Sequence, residues 1–473
     1  MVFSSLFFVF FFLAVVFLAY FTRKNINQKN IVLIAASLVF YAWGEPVWVM
    51  LLVFSAAMNW FFALLIGANR GKPKAKLFTG IAVCIDLLFL VIFKYTGFIV
   101  ENHNMLFHAN VPVPNIIMPI GISFFTFQAI SYVIDCYWET VKPQKSFKKF
   151  LLYLSLFPQL VAGPIVRYSV IEKEIDDRTV TAEDINEGIK RAILGVSKKV
   201  IVANSLYAIV DQFFGTDISN LSFFGTWYTV IVYSLYVYFD FSGYSDIAIG
   251  LGRMFGFHFD ENFNYPFICK NVSEFWQRWH ISLSSFFRDY LFYMPIFGQP
   301  RKYLNLFLVW FCTGLWHGAS WNFIFWGLYF GIFIFIETLI GKKRMKKWNK
   351  VLTHIYSKLV IVIGFGIFCF TDLGQLGYFF LNISGISMLT NGNEFWDIVT
   401  WNSFLNNLFL IIFAIIVSMP VLQKVKYFFN NWGNNTVYFV GNMASTVICC
   451  GLLLLSGILL VDNTNNPFLY FRF

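Results

Sequence analysis

Long apolar runs alternate with short polar connectors along nearly the whole chain. Apolar residues fill roughly 6–22, 31–66, 77–100, 116–136, 150–166, 193–213, 223–250, 303–340, 352–370, 374–390, 404–422 and 438–461. The second run is broken by Gly44-Glu45-Pro46, and the 303–340 run is broken between His317 and Ser320. A bilayer core needs about 20 apolar residues per helix, so the pattern predicts an all-α polytopic membrane protein with about 11–13 transmembrane or re-entrant helices. The first run is followed by Arg23-Lys24 without a small-residue cleavage site, which reads as a retained helix rather than a removed signal peptide.

Two stretches depart from this pattern. Residues 172–192 are polar, with Thr181 placed to cap a helix that begins at Ala182. Residues 252–302 mix aromatics, charges and amides, and no 20-residue window in them is purely apolar. Lipid cannot satisfy such groups, so this stretch must line a cavity or lie in the interface, a natural place for a site.

Composition and charge support the same class. The 473 residues are 58% hydrophobic and 13% charged, whereas soluble domains carry about 25% charged residues. Aromatics at 21% exclude disorder. The net charge of +10 comes from basic clusters between apolar runs, which is the pattern that orients helices in a bilayer and not a nucleic-acid signal. By that rule the clusters at 23–29, 70–76, 142–149 and 342–350 are cytoplasmic, while 101–115, without Lys or Arg, is on the outer side and the amino terminus is outside. The seven cysteines form no CxxC pair and lie mainly in apolar runs, so they read as small core residues with no metal framework.

The chain has no GxxxxGK[ST], HExxH or GxSxG motif, so soluble-type nucleotide, metalloprotease and hydrolase chemistry are set aside. Of six histidines, His103, His108 and His354 are explained by surface positions. His280 lies in SEFWQRWHISLSSFFRDYLF (273–292); if this is helical, Trp276, His280 and Ser284 share a face. His317 lies in TGLWHGASWNFIFWG (313–327) between two apolar runs, where an imidazole is costly to charge. A neutral imidazole is a competent proton acceptor, although a hydrogen-bonded core histidine is the bland alternative. Asp240 and Asp246 in YFDFSGYSDIAIG (238–250) sit at membrane depth, where a carboxylate either orients a base or imidazole or caps a helix at the interface. Asp86, Lys94, Asp135 and Glu337 raise the same question without a motif.

At these residues the sequence resembles the membrane-bound O-acyltransferase superfamily, and within it the type that acetylates alginate. The matching stretches are LVAGPIVRY (160–168), FDFSGYSDIAIG (239–250), ENFNYPF (261–267), the two Trp-His segments and the terminal NNPFLYFRF (465–473). Order and spacing agree over about residues 30–473, as one membrane domain: amino-terminal helices 1–150, a motif-bearing core 151–345, and carboxy-terminal helices with an aromatic tail 346–473. The resemblance implies a ring of helices around a thin centre, where a tunnel lets a cytoplasmic acyl thioester meet an acceptor from the other face. It implies His317 and His280 as catalytic residues, with His317 matching the family's invariant histidine. Trp276, Arg278, Trp316, Asn322 and Asp240 are the expected substrate contacts, and Tyr470 is a candidate acyl relay or an interfacial anchor. It implies no bound cofactor or metal, acetyl-CoA as donor, an exported polysaccharide-modifying partner protein and a multi-pass bacterial inner-membrane location. The same fold also suits a D-alanyl transferase of teichoic acids. A proton-coupled transporter or flippase is disfavoured, because no internal repeat is visible.

Overall fold

The computed structural model describes residues 1–161, 163–295, 298–299, 301–430 and 435–462. Among these, every regular element is helical. Six helical segments are long and apolar enough to cross a membrane: Val49–Ala68, Pro73–Phe107, Ala182–Phe214, Trp321–Ile340, Lys350–Cys369 and Val440–Val461. A seventh is Ile398–Asn406 with Leu408–Val417 if that pair, bent by 56°, counts as one span. Of the other apolar runs, 223–250 lies within the 32-residue helix Phe223–Met254, and others form shorter helices such as Leu13–Phe21 (α1) and Ile26–Ala42 (α2). Large apolar side chains remain exposed on many helices, including Leu18, Phe54, Val447 and Ile458, as expected of surfaces that face lipid.

Several boundaries follow from local chemistry. Asn25 caps α2 by accepting from the Asn27 N–H, and the Gly44-Glu45-Pro46 turn separates α2 from Val49–Ala68 (α3). Pro73 opens Pro73–Leu90 (α4), where its missing N–H is harmless. Thr181 and Asp184 form a reciprocal cap, the Thr181 hydroxyl accepting from the Asp184 N–H, and helix Ala182–Ser197 (α7 below) begins there.

By contact the chain forms two compact units, neither continuous in sequence. The first takes the described residues within 1–192 and 244–261. In it α3 and α4 pack on each other and on Ile122–Tyr137 (α5), while Phe147–Ser155 (α6) packs on α2 and α3. Asn59 donates to the buried carboxylate of Asp86 at 3.0 Å, which answers one of the open questions of the sequence. The buried Arg178 binds the Tyr20 hydroxyl and the Phe255 carbonyl, each at 3.0 Å, and Asn30 Oδ1 at 2.8 Å. Its guanidinium also lies 4.4 Å from the centre of the Phe257 ring.

The second unit takes the described residues within 193–243 and 262–462. Two helices contribute to both units: Ala182–Ser197 (α7), which continues through a π-helical turn at Lys198–Ala203, and Phe223–Met254 (α8). Within the second unit, short helices Val272–Trp276 (α9) and Ile281–Phe287 (α10) precede the hairpin of Lys302–His317 (α11) and Trp321–Ile340 (α12). Helix Lys350–Cys369 (α13) packs on α12. The hairpin is close because glycines meet: a side chain at Gly327 would overlap the Trp310 carbonyl and touch Gly314 at 3.0 Å.

Candidate active site

His317 is the last residue of α11, and Gly318 turns the chain into α12. The imidazole is buried among three rings, with centroid spacings of 4.9 Å to Trp316, 4.6 Å to Trp326 and 5.2 Å to Phe368. The Asn322 side chain holds the end of α13 by donating to the carbonyls of Ile367 and Phe368 at 3.3 and 3.4 Å, which fixes the Phe368 ring against His317. Asn322 therefore supports the cage.

His280 is fully buried and lies between α9 and α10. The expected single helix over 273–292 is not formed. The chain leaves α9 at Trp276, and His280 adopts a left-handed backbone (φ 44, ψ 56) before α10 begins, so Trp276, His280 and Ser284 do not share one helical face. Such a conformation costs about 1–3 kcal/mol in a non-glycine residue and clusters at functional sites. Flanking hydrogen bonds hold it: the Asn264 N–H donates to the Arg278 carbonyl at 2.9 Å, and the Ile281 N–H to the Asn262 carbonyl at 3.0 Å.

The two histidines meet the same indole. Trp316 lies 5.6 Å from the His280 ring and 4.9 Å from the His317 ring, so the imidazoles are no farther apart than these two spacings combined. Phe241 of α8 packs edge-on to His280 at 4.7 Å. Trp276 packs against Trp326 at 5.5 Å and Trp310 at 4.9 Å, extending the aromatic wall. The result is a water-poor enclosure around two imidazoles. His280 lies outside the spanning helices, and burial pushes its pKa down, which favours the neutral ring. Three buried polar atoms near this wall, Trp276 Nε1, Trp326 Nε1 and Asn322 Oδ1, have no protein partner among the described residues. Buried groups of this kind are normally satisfied by water or by a bound polar molecule. The enclosure offers proton transfer and oriented binding, and among the described residues no cluster of ligating side chains could hold a metal ion.

The remaining sequence-based candidates fall elsewhere. Arg278 is engaged by Glu274 at 3.0 Å and by the Asn264 carbonyl at 3.0 Å, a clasp across its own loop. Asp240 forms a fully buried ion pair with Lys199, and Asp246 pairs with Arg191 at 2.6 Å, so each carboxylate is held by a cationic side chain. Tyr470 lies outside the described residues. His103 and His108 are exposed, and His354 is half-buried. Sequence reasoning missed Asn262, Lys199 and Arg191. Asn262 stands inside a quoted motif as a polar residue between acidic and aromatic neighbours, and Lys199 interrupts an apolar run; both were visible signals. Glu337 proves to anchor α9, accepting from the Val272 and Ser273 N–H groups at 2.8 Å each.

A model of the membrane-bound O-acyltransferase family matches residues 139–380, which include both histidines. The chain is 38% identical over 377 residues to the probable alginate O-acetylase of Pseudomonas aeruginosa, covering 78% of this chain and 72% of that protein. It is 36% identical over 368 residues to the peptidoglycan O-acetyltransferase of Helicobacter pylori, covering 70% and 69%. It is 31% identical over 335 residues to the teichoic acid D-alanyltransferase of Bacillus subtilis, covering 66% and 81%.

Proposed function

Given that the chain belongs to the membrane-bound O-acyltransferase family and is a multi-pass membrane O-acyltransferase, we propose that it moves an acetyl group from cytoplasmic acetyl-CoA across the bacterial inner membrane for O-acetylation of an extracytoplasmic polysaccharide. The observation that carries this reading is the pair of buried histidines packed on Trp316. Similarity to a probable alginate O-acetylase and to a peptidoglycan O-acetyltransferase supports acetyl as the group and a glycan as the acceptor. An exported partner protein completes the transfer to sugar hydroxyls.

The chemistry asks little of the protein. A thioester is already activated, so the site needs a base for the acceptor hydroxyl and a dry, oriented enclosure. His317 takes the hydroxyl proton as the oxygen bonds to the thioester carbonyl carbon. The carbon–sulfur bond then breaks, and the departing thiolate recovers the proton from the imidazolium and leaves as the free thiol. His280 positions the substrates. The aromatic rings keep out water, which would otherwise intercept the acyl group.

The D-alanyl reading rests on the 31% identity to the teichoic acid enzyme and shares every step except the donor. Purified protein offered radioactive acetyl-CoA or D-alanyl carrier protein separates the two. Labelled acceptor from acetyl-CoA alone is expected; label from the carrier protein alone would overturn the acetyl assignment.

A further inference from the structure

Asn262 and His280 are separated by 18 positions in the chain, yet their side chains meet in the interior of the second unit. Asn262 is 1% exposed and His280 is 0% exposed, so whatever passes between them is sheltered from solvent. Asn262 Oδ1 faces three groups: the Ser282 N–H at 3.3 Å, the Ser282 hydroxyl at 2.9 Å and His280 Nδ1 at 3.2 Å. The oxygen and nitrogen of an asparagine amide are distinguished by their partners. A backbone N–H can only donate, so the amide atom facing Ser282 is the oxygen.

A carbonyl oxygen can only accept, so His280 Nδ1, facing that same oxygen, carries the ring hydrogen; the Ser282 hydroxyl, which lies 3.4 Å from Nδ1, gives its single hydrogen to Asn262 Oδ1 at 2.9 Å and so meets Nδ1 as an acceptor. In a neutral imidazole one nitrogen donates and the other keeps its lone pair, so Nε2 of His280 is an acceptor. The rings of Phe241 and Trp316 pack on the imidazole and favour the neutral form by excluding water.

We propose that Asn262 is the positioning residue that locks His280 in its Nδ1–H tautomer, so that Nε2 meets the substrate as a hydrogen-bond acceptor. The assignment rests on the acyltransferase reading in one respect, that His280 faces substrate. Its consequence is a choice between roles. A neutral His280 of this tautomer receives an N–H or O–H hydrogen bond and gives none to the thioester oxygen. The group it receives is an amide N–H of the donor's pantetheine arm or the hydroxyl of the acceptor. Chemically it resembles the partner of a catalytic histidine in a hydrolase, which also works by fixing one ring nitrogen so that the other is available.

The test is a tautomer measurement on the full-length protein in lipid, labelled with ¹⁵N-histidine. The His280 signals are those lost in His280→Gln. A protonated Nδ1 with an unprotonated Nε2 is expected; a protonated Nε2 in the wild type would overturn the proposal whatever the activity. Asn262→Asp keeps an oxygen acceptor and should keep the tautomer, whereas Asn262→Leu should release it. Loss of a ring-orienting partner typically lowers activity about 10–100-fold at metal-bound histidines, and a similar loss is expected for Asn262→Leu, with a smaller one for Asn262→Asp. A raised KM for the donor identifies the pantetheine amide as the bound group, and a fall in kcat at unchanged donor KM identifies the hydroxyl. Unchanged kcat and KM in Asn262→Leu would overturn the proposal. The tautomer is read without substrate, so a wild type that fails to use acetyl-CoA would bear on the donor and not on this assignment.

Discussion

His317 ends a helix inside a cage of Trp316, Trp326 and Phe368, two of whose rings also pack on each other, Trp326 lying 5.4 Å from Phe368. His317→Ala should therefore leave the protein inserted and folded while lowering acyl transfer by about 10²–10⁴, the usual worth of a general base. His280→Ala should approach the same loss, and the double variant should fall little below the worse single one if the two act as a unit. Near-normal transfer by the purified His317→Ala protein would refute the base assignment. The sequence revealed both histidines because each stands in a Trp-rich motif at a break in the apolar pattern. It did not reveal how His280 is held. Helical periodicity assumes an uninterrupted helix, and a left-handed residue in mid-segment leaves no mark in the pattern. Asn262 escaped for a related reason: a contact over 18 residues is set by how the loop returns on itself, which no local spacing encodes.

Among the helices, α7 and α8 run close because small residues face each other in both units. In the first, side chains at Gly188 or Gly250 would strike the opposing backbone; in the second, one at Gly243 would strike the Gly195 carbonyl. Close approach brings Lys199 onto Asp240 in the second unit. Removing one member of a buried pair costs about 3–5 kcal/mol, whereas replacing both by apolar groups is often neutral. Lys199→Met and Asp240→Leu should each lower the yield of folded protein in detergent, and the double variant should restore it. Equal losses in all three, read by fluorescence-detected size exclusion, would refute the pairing. Gly327→Ala should also reduce folded yield, because its methyl overlaps the Trp310 carbonyl and pushes α12 off α11. A normal elution profile would show that the hairpin can relax. The helices themselves were largely legible. Breaks at Gly44-Glu45-Pro46 and 317–320 and the cap at Thr181 all stand where the pattern puts them. The 150–166 run was less so: it forms Phe147–Ser155 and Phe157–Leu160, parted at Leu156, whose backbone leaves the helical region (φ −55, ψ 111) before the turn that contains Pro158. Likewise the polar start of α7 continues without a break into the apolar run to Phe214, because an amphipathic turn needs no boundary to become a spanning one.

For the whole molecule, sidedness decides which substrate arrives from where. The basic clusters at 142–149 and 342–350 are expected to face the cytoplasm, the side assigned above to the proposed acetyl-CoA donor. With Lys145→Cys or Lys346→Cys introduced, a membrane-impermeant thiol reagent should label neither position in spheroplasts and both after the membrane is opened. Labelling from outside would reverse the proposed route of the acyl group. The Lys199–Asp240 pair has a further consequence in time, since α7 leaves the ribosome before α8. A nascent chain that has reached residue 220 holds a lysine at membrane depth ahead of its carboxylate, at a cost of about 2.5–3.5 kcal/mol on insertion scales. The translocation machinery must then retain helix Ala182–Phe214 until Phe223–Met254 arrives, so biogenesis has a waiting step built into the order of synthesis. Chains truncated at 220 should be extracted from membranes by carbonate far more readily than chains truncated at 262, and Lys199→Leu should abolish the difference. Equal retention of all three would mean that the lysine enters the bilayer without waiting.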